Sequence, residues 1–199
     1  MFVLYLAVVG FLAFTLGVGI LGIWLRRHRS RANAEKSSRV LHSLFFAGLV
    51  APWVVMLIYP GLTHLDELVG FEPLPSHPIL LIVGILLAFP GLYLLGITNK
   101  LLRNLGNGAN TFRLTKRIIE KDIYRRTRNP MSLGYYLWAL SLGLITGSKL
   151  FTFVVLLGLI PAHIFFLKYF EEFELELRFG EAYRQYKQKV PFLFPKISP

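Results

Sequence analysis

Apolar residues in this chain come in unbroken runs rather than at helical or strand intervals. Five stretches, residues 1–25, 40–60, 78–98, 131–147 and 150–170, are apolar almost throughout. Each comes close to the roughly 20 residues that a helix needs to cross a bilayer, and a helix that is apolar on every side has no face to offer to water. The pattern predicts an all-α integral membrane protein with five transmembrane helices. It reads as a single domain, 1–199, in which 1–98 supplies three N-terminal helices and 99–199 a connector, a helical hairpin and a tail. The fourth stretch rises only about 25 Å, against about 30 Å of hydrocarbon. The Arg128-Asn129-Pro130 corner that precedes it is therefore expected slightly below the membrane surface. Residues 147–149 alone separate the fourth and fifth stretches. So short a link predicts a tight antiparallel hairpin that brings this corner beside Glu171-Glu172.

The polar segments between the runs carry their own signals. The connector 99–129 contains Gly106-Asn107-Gly108 and then Leu114, Ile118, Ile119 and Ile123, which approximate a helical stripe suited to lying along lipid headgroups. A connector of this length usually has a function. Pro52, Pro90 and Pro161 fall inside the runs and predict kinks, tolerated in membranes where neighbouring helices satisfy the freed carbonyls.

Composition supports the membrane reading and charge orients it. The chain is 54% hydrophobic, with a mean hydropathy of +0.54, and carries a net charge of +11. Of its 22 Lys and Arg residues, six lie between Arg26 and Arg39, nine between Lys100 and Arg128, and six between Lys168 and Lys196, leaving Lys149 alone on the other side. Basic loops mark the cytoplasmic face, so the N-terminus is expected outside and the C-terminus inside. Most of the aromatics sit within apolar runs rather than among the basic residues, which argues against nucleic acid. Attraction to anionic membrane lipids is the expected secondary effect. The first run lacks a preceding positive segment and reads as a retained helix rather than a cleaved signal. There is no cysteine, which removes disulfides, thiolate metal sites and a thiol nucleophile. The five histidines are scattered, without the pairing of a helical zinc site, and no metal is expected. Oligomeric state is not legible.

The candidate chemistry lies in the last third. Glu171 and Glu172 read either as acceptors for hydroxyl or ammonium groups of a cofactor or as carboxylates marking the end of a span. Arg128 suits a planar carboxylate, from a cofactor or from those glutamates, and also serves as a basic anchor. His163, inside the fifth run, reads as a substrate-facing group or as a neutral imidazole bonded to a neighbouring helix. Gly106 and Gly108 permit close backbone approach or simply stop a helix. Lys168 reads as a snorkelling anchor. Tyr183, Tyr186, Phe192 and Phe194 alternate with basic residues, as in a lid or in a helix lying on headgroups.

Tyr124, then Arg128-Asn129-Pro130-Met131-Ser132-Leu133-Gly134, Glu171-Glu172, Leu175, Phe179-Gly180, Tyr183, Tyr186, Val190-Pro191 and Pro195 together resemble the pattern of a known superfamily. It is that of the integral-membrane methyltransferases, which groups isoprenylcysteine carboxyl methyltransferases with phospholipid methyltransferases. The resemblance covers about ninety residues, from Gly106 onward. It implies S-adenosylmethionine as methyl donor, S-adenosylhomocysteine as product, and a lipophilic or membrane-resident acceptor. It further implies a cofactor pocket lined by Tyr124, Asn129, Pro130, Met131, Ser132, Glu171 and Glu172, with Gly106, Gly108, Lys116, Arg117, Ile118 and Ile119 corresponding more loosely. Arg128, Glu171 and His163 are the candidates for the reaction itself. Three positions depart from the pattern. Asn129 stands for a histidine, so a titrating imidazole is not required there. Ser132 stands for a tyrosine that Tyr135 or Tyr136 replaces one turn on. Leu167 occupies the place of an arginine that holds the prenylcysteine carboxylate, which disfavours that acceptor. Sterol and steroid reductases using NADPH share an Arg-x-Pro corner and a Tyr and Val-Pro tail, but the acidic residue that often follows their Gly is replaced by Tyr135-Tyr136. A non-enzymatic membrane adaptor is the third expectation.

Overall fold

The computed structural model describes residues 2–106 and 114–196. Among the described residues there are helices and no strands. They are α1 (Phe2–Arg27), α2 (Arg31–Ile58), α3 (Leu62–Leu68), α4 (Pro78–Leu105), α5 (Pro130–Thr146), α6 (Lys149–Phe179) and α7 (Glu181–Lys189). Four of them, α1, α2, α4 and α6, are long and apolar enough to cross a membrane. The fourth apolar run becomes α5, only 17 residues long.

Local chemistry moves several boundaries beyond the apolar runs. α2 starts at Arg31, nine residues before the run it contains. Ser30 caps it by accepting a hydrogen bond from the Asn33 amide at 3.1 Å. Glu35 pairs with Arg31 and Arg39 one turn to either side, at 3.2 and 3.6 Å, which supports a helix outside the apolar zone. α3 forms between the second and third apolar runs. α6 continues past its run to Phe179, where Gly180 ends it at φ +58°.

Two of the three intramembrane prolines follow widened turns. The Ala51 amide bonds the Phe46 carbonyl and the Ile160 amide bonds that of Val155, each five residues back, just before Pro52 and Pro161. Proline crowds the carbonyl four residues earlier and offers no N–H, and the wider turn accommodates both deficits. A third π segment, Phe166–Glu171, precedes no proline.

The connector departs from the expected stripe. Among its described residues beyond the end of α4, the helical piece is the 3-10 turn Asp122–Arg125. Thr115, Ile118 and Ile119 are β-branched and weak helix formers. Contacts at a distance hold the segment extended instead: Arg117 donates to the Leu105 carbonyl, and Ile118 packs on the cluster of Tyr183, Tyr186 and Val190.

Packing divides the helices into two groups. The main core joins Phe14, Val18 and Leu25 of α1, Leu41, Phe45 and Leu49 of α2, and Phe166, Leu167 and Phe170 of α6. α5 packs mainly on α4. A Cβ on Gly134 would lie 3.0 Å from the Gly91 carbonyl oxygen, and one on Gly91 2.9 Å from the Trp138 nitrogen. Small residues allow this backbone approach in membranes, where lipid gives helices no hydrophobic reason to associate. α5 and α6 meet closely at their shared turn, where Gly147 takes φ +73° and Gly143 lies against Thr152. At their far ends the space between them, walled also by α2, holds a cavity. Ile82, Leu86, Phe89 and Tyr93 of α4 remain exposed on the outer surface, as lipid-facing residues do.

Candidate functional site

The cavity, of about 200 Å³, lies where α5 begins and α4 and α6 end, against the middle of α2. Its wall contains Tyr124 from the connector, Arg128, Asn129, Pro130, Met131 and Ser132 from the corner, and His163, Leu167 and Glu171 from α6. The corner is positioned by its own chemistry. Pro130 occupies the first turn of α5, where a missing N–H costs nothing. The tail then straps the corner down. The Arg128 amide donates to the Pro191 carbonyl at 2.9 Å and the Lys196 amide to that of Arg126 at 3.0 Å. Thr127 Oγ1 donates to the Leu193 carbonyl at 2.7 Å and Asn129 Nδ2 to that of Phe192 at 2.9 Å. The tail thus covers the corner from outside, and no described residue beyond Arg178 lines the cavity.

The two adjacent glutamates have opposite situations. Glu172 meets Arg128 Nη1 at 2.6 Å and Lys187 Nζ at 2.7 Å, and Lys187 also reaches Glu176 at 3.1 Å. Glu171 makes no hydrogen bond or ion pair with any described residue. Arg128 and Glu172 side chains are 10% and 12% exposed, yet Arg128 Nε, Arg128 Nη1 and Glu172 Oε1 have no partner in hydrogen-bond geometry. Their charges balance while their directed bonding capacity stays unfilled, and buried polar atoms of that kind are uncommon in folded proteins.

Charge around the site follows from burial. Burial raises the Tyr124 hydroxyl well above its usual range, with the Glu171 carboxylate adding to the effect. Burial does the same for Tyr183, again reinforced by Glu171 and then Glu172, and for Tyr186, reinforced by Tyr124. All three remain neutral, and Tyr186 Oη donates to the Tyr124 carbonyl at 2.7 Å. Partial burial opposes the Lys187 ammonium, but hydrogen bonds to Glu172 and Glu176 outweigh it and hold the amine above its usual value.

His163 is in the cavity wall and also bonded to a neighbouring helix: its Nδ1 lies 2.9 Å from Tyr136 Oη. Its ring stacks on Phe45 at 4.6 Å and on Phe166 at 5.6 Å. Tyr135 lines the cavity beside Ser132.

Some expected site residues are elsewhere. Gly106 ends α4 and Glu172 is held by its cations, and neither lines the cavity. Lys116 lines an outer groove, and Arg117, Ile118 and Ile119 are engaged as described or buried, away from the cavity. Gly108 lies outside the described residues. The sequence reading overlooked the contribution of α2, His42, Phe45 and Phe46, and also Glu174 and Arg178. Glu174 and Arg178, only 1% and 8% exposed, form a 2.8 Å ion pair one helical turn apart. A histidine inside the second apolar run and an acid–base pair at that spacing were the available signals.

A bundle of apolar helices with a polar, incompletely satisfied cavity at one end defines an integral membrane protein with a cavity at the bundle's edge. Residues 78–182, just over half of the chain, match the phospholipid methyltransferase family, and the chain belongs to that family. It is a membrane methyltransferase by that membership, which decides against the reductase resemblance. No curated protein and no solved structure matches it. The matched segment runs from α4 to the start of α7 and so includes most of the cavity wall, whereas α1 and α2 lie outside it.

Proposed function

We propose that the chain transfers a methyl group from S-adenosylmethionine to a lipophilic acceptor, with the cavity as its cofactor site. The observation that carries this reading is the unengaged Glu171 carboxylate in the wall of a cavity that Arg128 also lines, with the buried Arg128 Nε lacking a hydrogen-bond partner. An amino-acid nucleoside brings the complementary groups. Its carboxylate suits the planar Arg128 fork, its ammonium or ribose hydroxyls suit Glu171, and its base suits the apolar surface of Leu102, Met131 and Leu175. Bound there, the cofactor supplies a sulfonium methyl for in-line displacement. The protein's part is to hold the reactants in line and exclude water. The Lys187 and Arg128 contacts keep Glu172 occupied, which leaves Glu171 available. His163 and Tyr136 stand on the acceptor side, where their hydrogen bond fixes the imidazole. Leu167 in the wall offers no cation to a prenylcysteine carboxylate.

In the membrane, α5 is the fourth of five crossings, paired with α6 as an antiparallel hairpin. The cavity end faces the cytoplasm and the N-terminus lies outside. The 21 of 22 basic residues on that side support this orientation.

Calorimetry on the detergent-solubilised chain tests the reading. S-adenosylhomocysteine is expected to bind, and Glu171→Ala to weaken binding by about tenfold or more, the loss expected for a charge-assisted hydrogen bond. Absence of affinity for both S-adenosylmethionine and S-adenosylhomocysteine would overturn it.

A further inference from the structure

A separate apolar chamber, about 270 Å³, lies between α2 and α5 and is floored by Phe151 and Leu159 of α6. No described residue in its wall carries a charge. The polar side-chain groups there are the hydroxyls of Tyr135 and Tyr136 and the indole N–H groups of Trp53 and Trp138. Phe45 and Tyr135 line both the chamber and the cavity, so the two adjoin. A histidine marks their junction. Tyr136 belongs to the chamber wall and His163 to the cavity wall, and the 2.9 Å bond between them passes from one to the other. Both side chains are buried, at 4% and 7% exposure. Nδ1 of His163 is taken by Tyr136, so Nε2 is the ring nitrogen left for a ligand. The other histidine of the cavity wall, His42, is bonded through Nδ1 to the Ser38 carbonyl at 2.9 Å and does not line the chamber.

The size and neutrality of the chamber limit its occupant. An apolar cavity of about 150 Å³ takes one benzene ring, so this one has room for about ten carbon atoms, as two fused rings or a short chain. An ammonium, phosphate or carboxylate placed in it would lose its hydration with no opposite charge to meet it. A neutral molecule escapes that cost. Its methyl-accepting atom then arrives carrying a proton that has to leave, and His163 is the basic group beside the junction.

We propose that the methyl acceptor is a compact, uncharged lipophile bearing one O–H or S–H, held in this chamber with His163 Nε2 as its proton acceptor and Tyr136 as the positioning residue. The origin of the methyl rests on the methyltransferase reading above, while the chamber and the placed imidazole rest on geometry alone. Phenols and thiols, which ionise near 10 and 8.5, suit an imidazole base. As the bond from the donor sulfur to the methyl breaks, its electron pair stays on that sulfur. A bond from the methyl carbon to the acceptor oxygen or sulfur forms, and the acceptor's proton passes to Nε2. The product is a neutral ether or thioether. Tyr136 Oη accepts from Nδ1–H of the resulting imidazolium, which returns its extra proton to water. An aminophospholipid is a different acceptor, since its headgroup enters charged.

The test titrates the full chain in neutral detergent, without cofactor, by calorimetry corrected for uptake into empty micelles. The probes are 2-naphthol, 2-methoxynaphthalene, 2-naphthoate and a lysophosphatidylethanolamine. 2-Naphthol is expected to bind saturably and about fivefold to tenfold more tightly than 2-methoxynaphthalene, which shares its rings but has no proton to donate, a difference on the scale of one hydrogen bond. The naphthoate and the lysolipid should bind more weakly than either. His163→Phe should erase the preference by weakening 2-naphthol alone, and Tyr136→Phe should reduce it. Ala139→Leu, in the chamber wall, should weaken both neutral ring compounds together. A purely structural role for His163 would weaken both equally. His163→Leu serves if the Phe variant folds poorly. Equal binding of the two neutral compounds by wild type, or a preference that survives loss of His163, would overturn the proton-acceptor role. Tighter binding of the lysolipid than of 2-naphthol would overturn the acceptor class. S-adenosylhomocysteine titrated in parallel separates the two readings. Binding of 2-naphthol without it defeats the cofactor assignment and leaves the chamber, and the converse defeats the chamber alone.

Discussion

The two ends of the α5 and α6 pair treat polar groups in opposite ways. At the turn end, Asp66 of α3 is fully buried, and its carboxylate accepts from Ser148 Oγ at 3.2 Å, the Lys149 amide at 3.1 Å and the Leu150 amide at 2.6 Å. Negative charge there also meets the positive end of the α6 dipole, and Ser148 Oγ accepts in turn from the Phe151 amide at 3.1 Å. At the cavity end, Arg128 and Glu172 are also largely shielded, with side chains 10% and 12% exposed, but leave three atoms without directed partners, and Glu171 is unengaged. The same two helices are therefore locked at one end and left chemically available at the other. Completeness of hydrogen bonding, more than burial, separates scaffold from site in this chain.

The largest effect is expected where the available end is least tolerant. Arg128→Ala strands the buried Glu172 beside a single remaining cation, Lys187, and should cost about 3–5 kcal/mol of stability, the range for breaking a buried ion pair from one side. Arg128→Ala with Glu172→Ala should recover much of that loss. A double-mutant cycle by chemical denaturation in mixed micelles measures the coupling, and strict additivity would show that the pair is not coupled. At the locked end, Asp66→Ala should cost about 2–3 kcal/mol through its lost charged hydrogen bonds. Thermal unfolding checks this, and the folded fraction should still bind ligand at the opposite end. If Asp66→Ala abolished ligand binding without lowering stability, the division between the two ends would fail.

The smallest effect concerns pH. Tyr124, Tyr183 and Tyr186 all have hydroxyls raised by burial, and an unfolded tyrosine ionises near 10. The folded state holds its phenolic protons where the unfolded state releases them, so this stabilisation is complete below about pH 10 and declines as pH rises beyond it. Lys187, also raised, acts in the same direction. Tail and connector should loosen first on alkalinisation, seen as tyrosinate absorbance appearing together with proteolytic cleavage near the tail. Tyr186→Phe, which deletes the bond to the Tyr124 carbonyl, should lower the onset slightly.

What the sequence revealed follows the range of the interactions concerned. The apolar runs and the proximity of Arg128 to Glu172 were legible because hydropathy and a three-residue link are local facts with geometric consequences. The start of α2 at Arg31 was not, since it depends on a serine cap and ion pairs that hydropathy ignores. The extended connector was misread because its apolar spacing imitates a helix, while contacts to Leu105 and to the tyrosine cluster, remote in sequence, decide its shape. Tyr124, the Asn129 to Ser132 segment and Glu171 line the cavity wall, whereas Lys116 to Ile119 do not. His42, Phe46 and Arg178 were overlooked because nothing in a single sequence indicates that α2 packs across from the end of α6.

The strap formed by Pro191–Lys196 has a temporal corollary. Four of the bonds that fix the corner before α5 come from a segment synthesised after α1 to α6. These helices can therefore be inserted and packed while the corner is still loose, and the cavity acquires its final outline when Pro191–Lys196 docks. Catalytic competence would then lag behind membrane integration, which would give the nascent chain an interval in the bilayer as an inert bundle.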